Sequence, residues 1–167
     1  MLNAFLSLII ILCSLIIAYL MIRKESLHLQ QLEECIAIVK ETGKRADRFS
    51  SSFLDIMTDF QSSNKYGKIN IPEHFLNNLK NMKPAEAWKK SIDMSCKYLY
   101  QWEKDVLYHF ALSLFTCSIS DINSCTENTI NKLNDFRDVA KENKIKTIRT
   151  NAVCSVSTGL MIALLIL

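Results

Sequence analysis

The sequence predicts an all-α protein, a helical bundle flanked by two membrane-spanning helices. Three observations carry this expectation. All 20 basic and 17 acidic residues lie between Arg23 and Arg149, so both ends of the chain are uncharged. Within that charged centre, apolar residues recur every three or four positions, with no sustained alternation of period two. Gly43, Gly67, Pro72 and Pro84 are its only glycines and prolines, so breaks between helices are few. The expected organisation is a first span over residues 1–22, a cytoplasmic bundle over 23–149 and a second span over 150–167. A centre of that length can bury one core, which predicts a single domain there.

Residues 3–22 match the roughly 20 apolar residues needed to cross a bilayer as a helix. A cleaved signal peptide would carry a basic n-region and a small-x-small cleavage site. No basic residue precedes this stretch, and "IAYLMIRKES" offers no such site. Cys13 follows "IL", not the small residue expected before a lipidated cysteine. A buried soluble helix fits poorly with an uncharged run of this length. The second apolar run, Ala152 to Leu167, spans about 24 Å as a helix. That is short, but Thr150 and Asn151 extend it and Arg149 can snorkel to the headgroups; a tail lying in the interface is the alternative.

Charge sets the expected orientation. Arg23, Lys24, Lys40, Lys44 and Arg45 follow the first span, and Lys132, Arg137, Lys141, Lys144, Lys146 and Arg149 precede the second. Basic flanks stay on the cytoplasmic side, so the centre is expected inside and both ends outside. The net charge of +3 is small and its basic residues are mixed with acidic ones, which argues against nucleic acid as a partner. Free thiols are expected of the six cysteines in a reducing cytoplasm, and no C-x-x-C pair occurs.

Along the centre, Leu29, Leu32, Ile36 and Val39 continue the first anchor as a helix up to Gly43. Phe49, Phe53, Ile56, Met57 and Phe60 mark a second stripe, and "SSNKYGKIN" a polar break. Pro72 and Pro84 suit the first turn of the next two helices. Trp102, Val106, Phe110 and Leu114 form the following stripe. "SISDINS" breaks it, with Ser120 or Asp121 as N-cap. From there Ile122, Cys125, Ile130, Leu133, Phe136, Ala140, Ile145 and Ile148 hold helical spacing, so the last helix is expected to run unbroken from about Asp121 to the terminus. These stripes read as core faces, not as a cofactor box.

No catalytic constellation is visible. The three glycines stand apart, so neither phosphate-binding glycine motif is present. His28, His74 and His109 are scattered and fit no zinc spacing. Adjacent carboxylates such as Glu33 and Glu34 diverge on a helix. The expectation is a protein that is not an enzyme and needs no cofactor, metal or small-molecule substrate. A positive signal lies in the apolar ends, where Ser155, Gly159 and Ala163 form a small-residue ridge and Ser14 and Ala18 a shorter one. In lipid, close backbone approach over small residues is a main way for helices to pair. Those five residues are the candidate packing site.

The chain resembles the stage III sporulation protein AB family of endospore-forming bacteria. The resemblance rests on "RKESLHLQQLEECIAIVK" after the first anchor, on "PAEAWKKSI" with Trp88, on the break from Leu114 to Ser120-Asp121, and on "TGLMIALLIL" with Gly159. Two departures stand out: Ser118 lies near an expected glycine, and "KETGKRAD" replaces a tyrosine-containing turn. The resemblance implies a soluble domain similar to the cytoplasmic domain of the type II secretion platform protein (F-type). It implies a stage III sporulation AA-type ATPase and other channel subunits as partners. It further implies a scaffold in the mother-cell membrane facing the forespore, in a secretion-like channel. Trp88, Lys89, Asp121 and Asn123 are the candidate partner face, from "KNMKPAEAWKK" and "DINSCTEN". A platform subunit of another secretion or pilus machine usually has two tandem domains, for which this chain is short. A small membrane enzyme would need paired reactive groups, and a membrane-active toxin or holin seldom carries so large a charged centre.

Overall fold

The computed structural model describes residues 2–49, 52–63, 69–116 and 119–166, and all regular structure among them is helical. The chain divides into two compact units, an apolar one (Met1–Leu29 with Asp138–Leu167) and a polar one (Gln30–Arg137). Seven α-helices are described: α1 Leu2–Phe49, α2 Phe53–Ser63, α3 Ile71–Leu79, α4 Pro84–Ser95, α5 Gln101–Thr116, α6 Ile119–Lys146 and α7 Val153–Ile166. A π-helical turn, Thr147–Ala152, joins the last two. Phe5–Ala46 and Asp121–Leu165 are long and apolar enough to cross a membrane.

Local chemistry explains most helix starts in the polar unit. Ser52 caps α2: its hydroxyl accepts from the Asp55 amide (3.2 Å) and donates to the Asp55 carboxylate (2.6 Å). Pro72 and Pro84 stand in the first turns of α3 and α4, where a missing N–H leaves nothing unpaired. Asn70 before α3 is left-handed (φ 50°), a conformation that asparagine tolerates. At the start of α5 the Glu103 carboxylate accepts the Tyr100 amide at 2.8 Å, the return half of a capping box.

That cap corrects the α5 stripe. Glu103 must turn inward to reach Tyr100, so the buried face is Glu103, Leu107, Phe110 and Ala111. Trp102 is 56% exposed and stacks on Tyr100 at 4.6 Å. Over the stripe from Leu29 to Val39 of α1 the buried residues are Leu32, Cys35, Ile38 and Val39, whereas Leu29 and Ile36 are half-buried. Phe53, Ile56, Met57 and Phe60 of α2 are buried as the spacing predicts; the side chain of Phe49 lies outside the described residues.

Gly43 does not end α1, which continues to Phe49. A Cβ on Gly43 would collide with the Thr126 side chain of α6, so this glycine is there for close helix packing. Ser120 and Asp121 are not N-caps either. Both already lie within helix α6, which includes Ile119. On α6 the buried positions are Ile122, Thr126, Thr129, Leu133 and Ala140, while Ile145 of α6 and Ile148 of the π turn are exposed. Cys13, Cys35, Cys96, Cys125 and Cys154 are free thiols, and buried Cys35 and Cys96 touch at 3.8 Å between sulfurs.

The polar core is centred on aromatics. Phe53 meets Phe75, Trp88 and Phe115 edge-on at 5.3, 5.1 and 5.2 Å between centroids. Gln31 of α1 holds the α4–α5 turn with both ends of its amide. Its N–H donates to the Ser95 carbonyl (3.1 Å), and its oxygen accepts from the Tyr98 amide (2.9 Å).

Candidate membrane-helix interface

Within the apolar unit, α1 and α7 run antiparallel and meet along small residues. The Ser7 hydroxyl donates to the Ala163 carbonyl at 3.0 Å. Further along, the Ser155 hydroxyl reaches the Ser14 carbonyl at 3.5 Å. Ser14 returns its own hydroxyl to the Ile11 carbonyl (2.8 Å), so a polar side chain sits in an apolar seam with its donor satisfied. Ala18 and Ala163 are 7% and 2% exposed.

At Gly159 the two helices pack closely. A Cβ there would lie 2.5 Å from Ser14 Oγ and 2.6 Å from Ser14 Cβ, far inside van der Waals contact. Only hydrogen fits. Outward from the seam, Phe5, Leu8, Leu12, Ile16, Leu160 and Leu164 are exposed, the pattern expected of helices whose outer face meets lipid. The candidate packing residues Ser14, Ser155, Gly159 and Ala163 therefore come together, and buried Ala18 continues the α1 side. Two partners escaped the sequence reading. Ser7 lies seven residues before Ser14, a spacing that extends the α1 ridge, and Ala152 is buried at the head of α7.

The π turn accounts for Ala152. Twelve residues of regular α-helix would rotate Ala152 about 120° away from the face of Ala140. A turn closed by i→i+5 bonds winds fewer degrees per residue and takes rotation back. Ala140 and Ala152 are both buried, at 1% and 7% exposure. The expected unbroken helix is thus a helix with a change of winding at its membrane-proximal end.

This layout, two apolar helices joined over small residues and a separate polar helical unit, is the setting for the comparisons. Residues 3–167 match the family model for stage III sporulation protein AB. The chain belongs to that family. Membership of the stage III sporulation AB family gives it a sporulation role, and the match spans both apolar runs as well as the centre. Searches of curated proteins and of solved structures find no match.

The candidate partner face is partly corrected. Trp88 is 2% exposed, and its indole N–H donates to the Leu107 carbonyl at 2.8 Å while its ring packs on Phe53 and Phe75. It belongs to the core, because a tryptophan held by three neighbours inside a bundle has no face left for a partner. Lys89 is exposed, with its ammonium 5.5 Å over the Tyr108 ring. Tyr108 donates to Asp93 at 2.6 Å, and Lys104 completes the cluster at 3.5 Å from the same oxygen. Partial burial, then the bond to Asp93, push the Tyr108 phenol well above its usual range. Asp121 and Asn123 are exposed on the first turns of α6. Among the described residues no group of three or more metal-ligating side chains converges.

Proposed function

We propose that this protein is a non-enzymatic membrane platform of the mother-cell-to-forespore sporulation channel. It holds a cytoplasmic secretion-type ATPase at the membrane. The observation that carries the proposal is the α1–α7 seam: two apolar helices locked over Ser7, Ser14 and Gly159 make a compact anchor for a charged helical unit. Family membership supplies the sporulation context. The basic residues beside each apolar run, Arg23 and Lys24 on one side and Lys141, Lys144, Lys146 and Arg149 on the other, favour a cytoplasmic polar unit. In this reading the polar unit is akin to the cytoplasmic domain of the type II secretion platform protein. Its exposed Lys89, Asp121 and Asn123 are candidate contacts for the ATPase.

The test is a tagged pull-down from detergent-solubilised membranes of sporulating cells, with co-purifying proteins identified by mass spectrometry. The platform reading expects a secretion-type ATPase that is missing from vegetative preparations. Recovery of the protein alone, or equal abundance in vegetative cells, would overturn it.

A further inference from the structure

Two thiols meet in the core of the polar unit. Cys35 of α1 and Cys96 at the C-terminal end of α4 are 61 residues apart in sequence, and their sulfurs lie 3.8 Å apart. They are 1% and 0% exposed, and both are free. A single buried cysteine is ordinarily a small apolar filler. A touching pair on two separate elements can do more, since a disulfide needs its sulfurs about 2.0 Å apart. Cys96 closes α4 at φ −101° and ψ 62°, outside helical values, so a turn and not a rigid helix presents it.

That turn is clamped on both sides of Cys96. The Gln31 side chain donates to the Ser95 carbonyl (3.1 Å) and accepts from the Tyr98 N–H (2.9 Å). Gln31 stands four residues before Cys35 in α1, so one helix face carries both the clamp and a thiol. Within the turn, the Leu99 amide reaches the Cys96 carbonyl only at 3.4 Å, a long bond that holds little by itself. The clamp is thus a main tie between the turn and α1, and its release is a local opening that leaves the aromatic core in place.

We propose that Cys35 and Cys96 are a dithiol oxidised by hydroperoxides, closing to a disulfide when the Gln31 clamp opens. With hydrogen peroxide, the Cys96 sulfur attacks one oxygen, the O–O bond breaks, and the departing hydroxide takes the thiol proton to form water. Cys35 then attacks the sulfenic sulfur; the S–S bond forms, and the sulfenic hydroxyl leaves with the second thiol proton as another water. The pair gives up two electrons and the peroxide takes them. A thiol reductant reverses the step by exchange. The disulfide replaces the clamp with a covalent tie between α1 and the α4–α5 turn. The site is independent of the platform reading, since it rests on α1, α4 and that turn alone.

The full chain in detergent, with Cys13, Cys117, Cys125 and Cys154 replaced by serine, is treated with hydrogen peroxide, quenched, denatured and alkylated with a maleimide. Intact mass then counts the thiols that remain. The expected result is loss of both thiols together, an intramolecular Cys35–Cys96 peptide in a non-reducing digest, and recovery of both thiols with a reductant. Gln31→Ala should speed the loss by about fivefold or more, the effect of two missing hydrogen bonds on local opening. Gly43→Ala, which loosens α1 away from the turn, should stay within about twofold of the parent rate. Two thiols retained at peroxide concentrations that oxidise them in the urea-denatured chain overturn the proposal. So does oxidation that stops at the sulfenic or sulfinic acid, a rate that Gln31→Ala leaves unchanged, or one that Gly43→Ala raises equally.

Discussion

Replacing Gly159 should pry the two apolar helices apart, by an amount that the seam geometry sets. A methyl at this position lies 2.5 and 2.6 Å from the side-chain atoms of Ser14, where heavy atoms need about 3.5–4.0 Å. Ser14 cannot swing clear, since its Cβ is fixed by the backbone and its hydroxyl is bound to Ile11 at 2.8 Å. The helices must separate by roughly 1 Å. That takes the 3.0 Å bond from Ser7 to Ala163 beyond hydrogen-bonding range. Overpacking costs about 1–3 kcal/mol, and the lost bond about 0.6 kcal/mol on the scale measured for membrane helices. Together they weaken pairing by about 1.6–3.6 kcal/mol, roughly 15- to 400-fold. The assay uses Cys13 and Cys154, free thiols that line one groove of the apolar unit. With Cys117 and Cys125 replaced by serine, a short bis-maleimide should bridge them within one chain in membranes. Gly159→Ala should reduce the bridged fraction and Gly159→Leu abolish it. Ser14→Gly, which removes both clashing atoms, should restore bridging to Gly159→Ala, and Ser14→Ala should restore it in part. Undiminished bridging in Gly159→Leu would refute the reasoning, as would a Ser14→Gly background that rescues nothing.

Three further outcomes are expected. Gly43→Ala places a methyl against Thr126, which is pinned to the Ile122 carbonyl at 2.7 Å; a net loss of about 1–2 kcal/mol should appear as a lower Tm of the full chain, and an unchanged Tm would count against the close packing of α1 on α6. Trp88→Phe loses the indole bond to the Leu107 carbonyl at 2.8 Å, which keeps its helical partner within α5, and should cost about 0.5–1.5 kcal/mol, with Trp88→Ala near 3–5 kcal/mol, both read from denaturant midpoints. Folding favours the neutral form of Tyr108, because burial and the bond to Asp93 raise its pKa. Its contribution is therefore complete below the unfolded value of about 10 and is lost as pH rises from there through the folded value. Tyr108→Phe should remove that alkaline slope in a series of melts, and a parallel slope in the variant would assign it elsewhere.

How far the fold could be read in advance depends on what each residue answers to. The apolar ends were legible because lipid demands length and absence of charge, and both can be counted. Pro72 and Pro84 were legible because their chemistry is local. The α5 stripe slipped by one position because Glu103, a carboxylate, turns inward to cap its own helix, and hydrophobic spacing does not register a buried acid. Gly43 was taken for punctuation because a glycine required by a neighbouring helix looks the same as one required by a turn. In the seam, Ser14, Gly159 and Ala163 were found from their spacing alone. Ser7 was missed because it lies one heptad from the nearest small residue considered, and Trp88 was misplaced because its partner Leu107 is far along the chain.

The π turn from Thr147 to Ala152 bears on how this family can vary. A turn that closes with i→i+5 bonds holds one residue more than an α-turn needs. Removing a single residue from this stretch lets the backbone relax into ordinary α-helix, whereas the same deletion inside α7 would carry Gly159 off Ser14. Length differences of one residue among relatives should therefore collect at Thr147–Ala152, and the small-residue register beyond it should move as a block.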